Sequence, residues 1–357
     1  MKKVILGMSG GVDSSVSAYL LKKQGYHVLG VSLLLFETRG RINPRTCCSL
    51  EAVNAARESA EIIDIPHKTI NARKEFMEMV IEPFVKGYLK GITPNPCILC
   101  NKFIKFPILE DVARTEGAEF IATGHYAKVL RIDDRVNLAK ATDTAKDQSY
   151  FLYVLPLWML EHCLFPLGYY LKDDVRHIAR ELSLPSANRL ESVEICFTGE
   201  KGYSGFIKTI EPEAQRPGPI YDINGNQIGT HKGIFNYTIG QRRGINVPST
   251  EALYVIKIKP EENAIYVGPR QEAFKKRVYV EDVHWLAEPV ERITARIRSM
   301  MKDEPARLVK TGPASCFIEF DEPQWAPAPG QAAVFYKHDI VIGGGTIVEE
   351  PSDEMDP

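Results

Sequence analysis

The run Ser9-Gly10-Gly11-Val12-Asp13-Ser14-Ser15 is entered, through Met8, from the apolar segment Val4-Ile5-Leu6-Gly7. A strand, a glycine turn and a helix start in that order aim backbone N–H groups at an anion. Gly10 and Gly11 permit the turn without Cβ clashes, and Ser14 or Ser15 is expected to open a helix through Val16, Ala18, Leu20 and Leu21. No Lys follows the glycines, so this is not the Gly-x-x-x-x-Gly-Lys-Ser/Thr loop that grips a γ-phosphate. A pyrophosphate cradle is the chemical reading, and a serine-capped turn the bland one. A second reactive segment is Thr93-Pro94-Asn95-Pro96-Cys97-Ile98-Leu99-Cys100-Asn101, in which two prolines fix the approach to a Cys-x-x-Cys pair. If Cys100 lies at the start of the helix through Ile104, Phe106 and Leu109, the helix dipole with Lys102 and Lys105 favours its thiolate. The spacing alone leaves a redox pair, half a zinc site, iron-sulfur ligands and inert packing open. Glu194-Ile195-Cys196-Phe197-Thr198-Gly199 is weaker, since a Cys between Ile and Phe is more often core than catalytic.

Elements able to position these residues are legible. After the loop helix come apolar strands over His27–Leu33, His67–Ile70 and Phe120–Thr123, the last ending in Gly124-His125-Tyr126-Ala127, with helices over Leu50–Ile63 and roughly Glu75–Tyr88. The alternation predicts an α/β domain with a doubly wound, mostly parallel sheet. Ligands bind beyond the carboxyl ends of such strands, where the glycine turn and Gly124 would both lie. From about Arg216 short strands with turn residues take over, and a further all-β stretch runs from Val278 to Val348. The expected partition is a nucleotide-binding domain over 1–203, a small β domain over 204–272, a barrel-like β domain over 273–350 and a frayed acidic tail over 351–357. Net charge is −2, so a polyanionic partner would need a local basic surface. Lys275, Lys276, Arg277, Arg292, Arg296, Arg298, Arg307 and Lys310 are candidates. No apolar run reaches membrane-span length, and Met1-Lys2-Lys3 leads straight into the first strand, so a cytoplasmic location is expected. Seven cysteines suit thiol or metal chemistry better than a disulfide framework. Cys163 and Cys316 sit in apolar surroundings and read as structural, while Thr46-Cys47-Cys48-Ser49 reads as a helix cap with two thiols, or as a metal or redox device.

The glycine turn resembles the PP-loop of enzymes that cleave ATP between the α- and β-phosphates to adenylate a substrate. Together with the cysteine segments, Ala122–Ala127, Lys146-Asp147-Gln148-Ser149-Tyr150-Phe151-Leu152, Tyr237-Thr238-Ile239-Gly240-Gln241-Arg242-Arg243-Gly244 and Gly330–Tyr336, it occurs in the order seen in the tRNA-specific 2-thiouridylase family. That resemblance runs from Val4 to about Gly345. It implies ATP-dependent exchange of the C2 oxygen of a tRNA wobble uridine for sulfur from a protein persulfide. Gly7, Met8, Ser9, Gly10, Gly11, Val12, Asp13 and Ser14 then match the ATP loop, with Leu33 and Gly124 as further nucleotide contacts. Asp13 is the carboxylate expected near Mg²⁺. Asn95, Pro96 and Cys97 match the segment that touches the target base, Lys146, Asp147 and Gln148 a tRNA-contacting loop, and Arg298 and Ser299 another. His125 and Tyr126 are candidate members of the base pocket. By the same resemblance Cys196 carries the persulfide from an upstream donor protein, Cys100 is its catalytic partner, and a Cys100–Cys196 disulfide ends the cycle. Many members carry Asp where this chain has Cys97. Cys97, Cys100 and Cys196 could therefore hold a four-iron four-sulfur cluster as an alternative route. Two other classes remain: a PP-loop synthetase acting on a small molecule, which needs no paired thiols, and a non-catalytic RNA-binding module, which releases no pyrophosphate.

Overall fold

The computed structural model describes residues 2–36, 50–187, 195–199 and 202–351. Thr46-Cys47-Cys48-Ser49, Glu194 and nearly all of the expected tail lie outside them. The chain divides into two compact units, one of Met1–Ile81, Pro96–Gly202 and Asp339–Val341, the other of Glu82–Asn95, Tyr203–His338 and Ile342–Pro357.

The first unit is built on five parallel strands. β1 (Lys3–Gly7), β2 (His27–Leu34), β3 (His67–Asn71) and β4 (Phe120–Thr123) are joined by a short edge strand, Cys163–Leu164, in the order β3, β2, β1, β4, edge. Strands covered on both faces read as continuous apolar runs, and Val4, Ile5 and Leu6 are fully buried. Helices α1 (Val12–Lys23) and α2 (Leu50–Ile63) supply part of the cover: Val16, Leu20 and Leu21 pack with Ala56, Ala60 and Ile63 around Val4 and Leu6. Each fully buried large aliphatic chain contributes about 1.5–3 kcal/mol. Strand order reverses at β1, with β2 on one side and β4 on the other, and Gly7 is level with Thr123 across the ladder. The loops leaving β1 and β4 therefore open side by side at the switch point, the crevice where open α/β sheets bind ligands.

The second unit is β-rich. Tyr254–Lys259, Ala264–Gly268, Gly218–Tyr221 and Gln227–His231 form one four-stranded sheet. The six strands Phe274–Trp285, Ser315–Trp325, Glu304–Gly312, Arg292–Arg296, Ala332–Lys337 and Ile340–Val348 follow one another around a barrel, which closes where the last pairs with the first. Phe320, Phe335, Ile318 and Ala333 fill its core. The doubly wound sheet followed by two β modules agrees with the sequence expectation, including the barrel-like last module. No helix among the described residues is long and apolar enough to cross a membrane.

Candidate functional site

Helix α1 starts at Val12 with Gly11 as its cap, two residues earlier than the serine start expected from sequence. The reason lies in the use made of Ser14. Its hydroxyl donates to the Gly11 carbonyl at 3.1 Å and accepts the Ser9 N–H at 3.1 Å, so it clasps the loop from inside the helix rather than capping it. Ser15 N–H donates to Gly11 at 3.2 Å. The N–H groups of Val12, Asp13 and Ser14 precede that bond in the first turn, where a helix leaves donors for an anion. Two glycines shape the opening. Gly10 has φ +69°, and a Cβ there would meet the Ala52 carbonyl oxygen at 2.1 Å. A Cβ on Gly124 would lie 2.8 Å from Ser14 N. Met8 is buried and donates its N–H to Val31 at 2.8 Å, while Leu33 is half-buried near the end of β2.

Asp13 stands in the first turn of α1 and is not an open carboxylate. The Lys172 ammonium donates to its Oδ1 and Oδ2 at 2.7 and 2.8 Å, and Tyr126 Oη donates to Oδ1 at 2.9 Å. Lys172 opens the helix Lys172–Glu181 and is 8 % exposed. Nothing in the sequence singled it out, because a lone Lys before Asp-Asp reads as a solvated helix start.

The cysteine segment departs from expectation in a second way. Its helix begins at Pro96, a residue suited to the first helical position, so Cys97 occupies the first turn and Cys100 the end of Pro96–Cys100. The dipole argument therefore applies to Cys97, which is exposed, and not to Cys100, which is half-buried. A π-helical turn, Asn101–Lys105, follows before Phe106–Glu116 resumes α geometry. Such turns recur at functional sites. This one ties Cys100's neighbour to the crevice. Asn101 donates to the Phe151 carbonyl at 3.0 Å and accepts from Lys105 at 3.1 Å, and Lys105 also donates to His125 Nε2 at 3.5 Å. An ammonium only donates, so Nε2 accepts and Nδ1 carries the proton toward Thr123 Oγ1, 2.7 Å away. Burial first, and the Lys105 charge second, hold the His125 pKa well below 6.5. Cys196 lies on the turn 195–199, where Phe197 packs edge-on against Phe76 with centroids 5.6 Å apart. The π-helical Met77–Ile81 that follows Phe76 packs on Pro96–Cys100. Both thiol-bearing segments thus flank one helical stretch, 76–81. Among the described residues no three His, Cys, Asp or Glu side chains gather as a metal-binding group.

The residues expected to meet tRNA hold their own loops together. Asp147 is buried and accepts from Ala141 N at 3.1 Å, Ser149 N at 3.3 Å and Ser149 Oγ at 2.8 Å. Gln148 exchanges hydrogen bonds with the Tyr126 backbone at 2.9 and 2.8 Å, and Lys146 N–H donates to the Asp143 carbonyl at 3.1 Å. In the second unit Asn95 is half-buried just beyond Thr93, whose N–H donates to Pro329 at 2.8 Å and whose carbonyl accepts from Gln331 at 2.9 Å. The Arg298 guanidinium donates to the Ile239 and Ala326 carbonyls at 2.9 and 2.7 Å, with Ser299 half-buried beside it. Of the basic candidates, Arg277, Arg292, Arg296 and Arg307 pair with Glu319, Asp321, Asp303 and Glu291. Cys163 and Cys316 are buried, and burial drives both thiol pKa values up, that of Cys316 to about 12.

The chain matches three family models in succession: a tRNA methyl transferase HUP domain over residues 2–200, a tRNA methyl transferase PRC-barrel domain over 204–269 and an aminomethyltransferase beta-barrel domain over 275–347. It is 44 % identical over 354 residues to the tRNA-specific 2-thiouridylase MnmA 1 of Caldanaerobacter subterraneus subsp. tengcongensis, covering 97 % of each chain. It is 45 % identical over 355 residues to MnmA 1 of Thermoanaerobacter pseudethanolicus, again covering 97 % of each. With MnmA of Clostridioides difficile it shares 44 % over 354 residues, 97 % of this chain and 98 % of the relative. With similarity of that extent along both the glycine-loop unit and the β modules, the chain belongs to the tRNA-specific 2-thiouridylase family.

Proposed function

We propose that this chain is an ATP-dependent tRNA 2-thiouridylase acting on the wobble uridine in the cytoplasm. The observation that carries the reading is the glycine cradle facing Gly124 across the sheet's switch point, in a chain 44 % identical over 97 % of its length to an enzyme named for that activity. A carbonyl oxygen is a poor leaving group. The uridine C2 oxygen attacks the ATP α-phosphorus, the bond to the β-phosphate breaks, and pyrophosphate leaves with the electron pair beside the N–H groups of α1. Asp13 is the carboxylate that would hold Mg²⁺ once Lys172 releases it, since both its oxygens accept from Lys172 here; the ion takes one or two carboxylates and completes its shell with phosphate and water. Bound there, it neutralises phosphate charge.

Cys196, loaded by an upstream persulfide donor, adds its terminal sulfur to C2, and AMP departs with the former C2 oxygen. Cys100 thiolate then attacks Cys196 Sγ. The S–S bond breaks, its electron pair stays on the sulfur now bound to uridine, and a Cys100–Cys196 disulfide is left for a dithiol to reduce. Asn95, Pro96, Cys97, Lys146, Asp147, Gln148, Arg298 and Ser299 are proposed as tRNA contacts. Among the described residues Cys97, Cys100 and Cys196 do not gather as a metal-binding group, which supports the persulfide route over a cluster. The test is mass analysis of nucleosides from tRNA incubated with ATP, Mg²⁺ and persulfide donor. Iron-free protein should form 2-thiouridine, Cys100→Ser and Cys196→Ser should form none, and Cys97→Ser should still form it, at a rate lowered only by the altered tRNA contact. Product formed only by anaerobically reconstituted protein would overturn the persulfide route. Pyrophosphate release that ignores tRNA and both cysteines would favour a small-molecule synthetase.

A further inference from the structure

Lys172 is a buried cation 159 positions from its partner Asp13, and the fold alone gives no reason for it. Burying an ammonium strips it of water, and a partly exposed carboxylate such as Asp13 repays that only in part, so an apolar residue of similar size would commonly be as stabilising at position 172. The pair nevertheless has close geometry, with contacts of 2.7 and 2.8 Å, and Tyr126 completes it. That ring lies 5.6 Å from Lys172 Nζ, and its hydroxyl donates to the same carboxylate. The pair also sits at the first turn of α1, where the helix's first N–H groups have no intrahelical acceptor. The glycine loop carries no lysine of its own. A helix N-terminus presents only about half an elementary charge, against the several negative charges of a leaving pyrophosphate.

We infer that Lys172 is the phosphate-binding cation of this site. It is held by Asp13 and Tyr126, and transfers its hydrogen bonds from the Asp13 carboxylate to pyrophosphate oxygens. The side chain is long and flexible, whereas Asp13 is fixed on α1, so the ammonium is the partner able to move. The inference rests on the ATP-dependent reading above and adds the residue that receives the leaving group.

It predicts effects of opposite sign. In metal-free buffer with a chelator, titration with inorganic pyrophosphate should show Lys172→Gln binding about tenfold or more weakly, since charge-assisted hydrogen bonds are lost. Asp13→Asn should bind about tenfold more tightly, because it removes a repelling charge and releases the ammonium. Adenosine affinity should be unchanged in both, and the double variant should resemble Lys172→Gln. A purely structural pair would instead move pyrophosphate and adenosine affinity in parallel with stability. If Lys172→Gln does not fold, Asp13→Asn still decides, and no gain in pyrophosphate affinity overturns the inference. Pyrophosphate affinities of both variants equal to wild type overturn it as well. Wild-type protein that binds neither ATP nor pyrophosphate would instead overturn the ATP-dependent reading itself.

Discussion

A single methyl group at residue 124 probes the crevice with the smallest possible change. A Cβ there lies 2.8 Å from Ser14 N, 2.9 Å from the Asp13 carbonyl carbon and 3.1 Å from its oxygen, where ordinary contact begins at 3.4 Å. The gap between the β4 loop and α1 must open by roughly 0.6 Å, and since every opposing atom is backbone, no rotamer change relieves it. Overpacking of this kind costs about 1–3 kcal/mol, which lowers the unfolding midpoint by roughly 2–12 °C in a domain of this size. Function should suffer more than stability. The N–H groups that meet phosphate are the ones displaced, and misplacement on the order of 1 Å costs about a hundredfold. Gly124→Ala should therefore lose about 10–100-fold in Mg-ATP affinity by calorimetric titration. Gly25→Ala is the control: its φ of +87° makes the substitution strained, by about 1–2 kcal/mol, yet nothing lies within 4 Å of the added Cβ. It should lose stability and keep ATP. Gly124→Ala binding ATP within about twofold of wild type would refute the placement of phosphate at the switch point, and an equal loss in Gly25→Ala would reassign the effect to stability.

Three further perturbations have directions fixed by the structure. Burial and Lys105 hold the His125 pKa well below 6.5, so the unfolded chain gains a proton that the folded one resists. Stability is then full above pH 6.5 and falls as pH drops below it, and urea midpoints between about pH 7.5 and 5 should fall less steeply in His125→Gln; an unaltered slope refutes this. Phe197→Ala removes a ring that is 2 % exposed and packed on Phe76. It should cost about 3 kcal/mol and speed alkylation of Cys196 in the native protein; an unchanged alkylation rate would show that the ring does not hold the turn. Arg298→Ala breaks two charge-assisted bonds to the Ile239 and Ala326 carbonyls. Thermal unfolding should register about 2–4 kcal/mol, and a midpoint equal to wild type would refute the structural role.

Sequence gave access to elements whose local pattern and burial agree. β1 and β4 are apolar because they are covered on both faces, and α2 shows its buried alanines at helical spacing. It failed where a side chain's partner is remote or its hydroxyl is put to another use. Ser14 looked like a cap because serines usually cap, but here it is spent on Ser9 and Gly11. Cys100 looked helix-initial although Pro96, four residues earlier, carries the stronger start signal. The π turn at 101–105 has no sequence signature, and Lys172 acquires meaning only from an aspartate in a different part of the chain.

The residues that the family resemblance assigns to RNA pose the sharper physical question. Asp147, Gln148 and Arg298 each commit side-chain hydrogen bonds to the protein itself: Asp147 accepts from two backbone N–H groups and the Ser149 hydroxyl, Gln148 accepts from the Tyr126 N–H, and Arg298 donates to two carbonyls. A side chain so engaged can touch RNA with whatever bonding capacity it retains, but its removal also changes the shape of a loop. Loss of tRNA affinity in such variants is therefore ambiguous, and salt dependence separates the causes. A lost phosphate contact lowers the slope of log affinity against log salt by about 0.7–0.9, whereas a distorted loop weakens binding at every salt concentration alike. For Arg298→Ala the two guanidinium–carbonyl bonds predict the second pattern, and Lys146→Ala, which removes a positive charge and keeps the backbone N–H bond to Asp143, predicts the first.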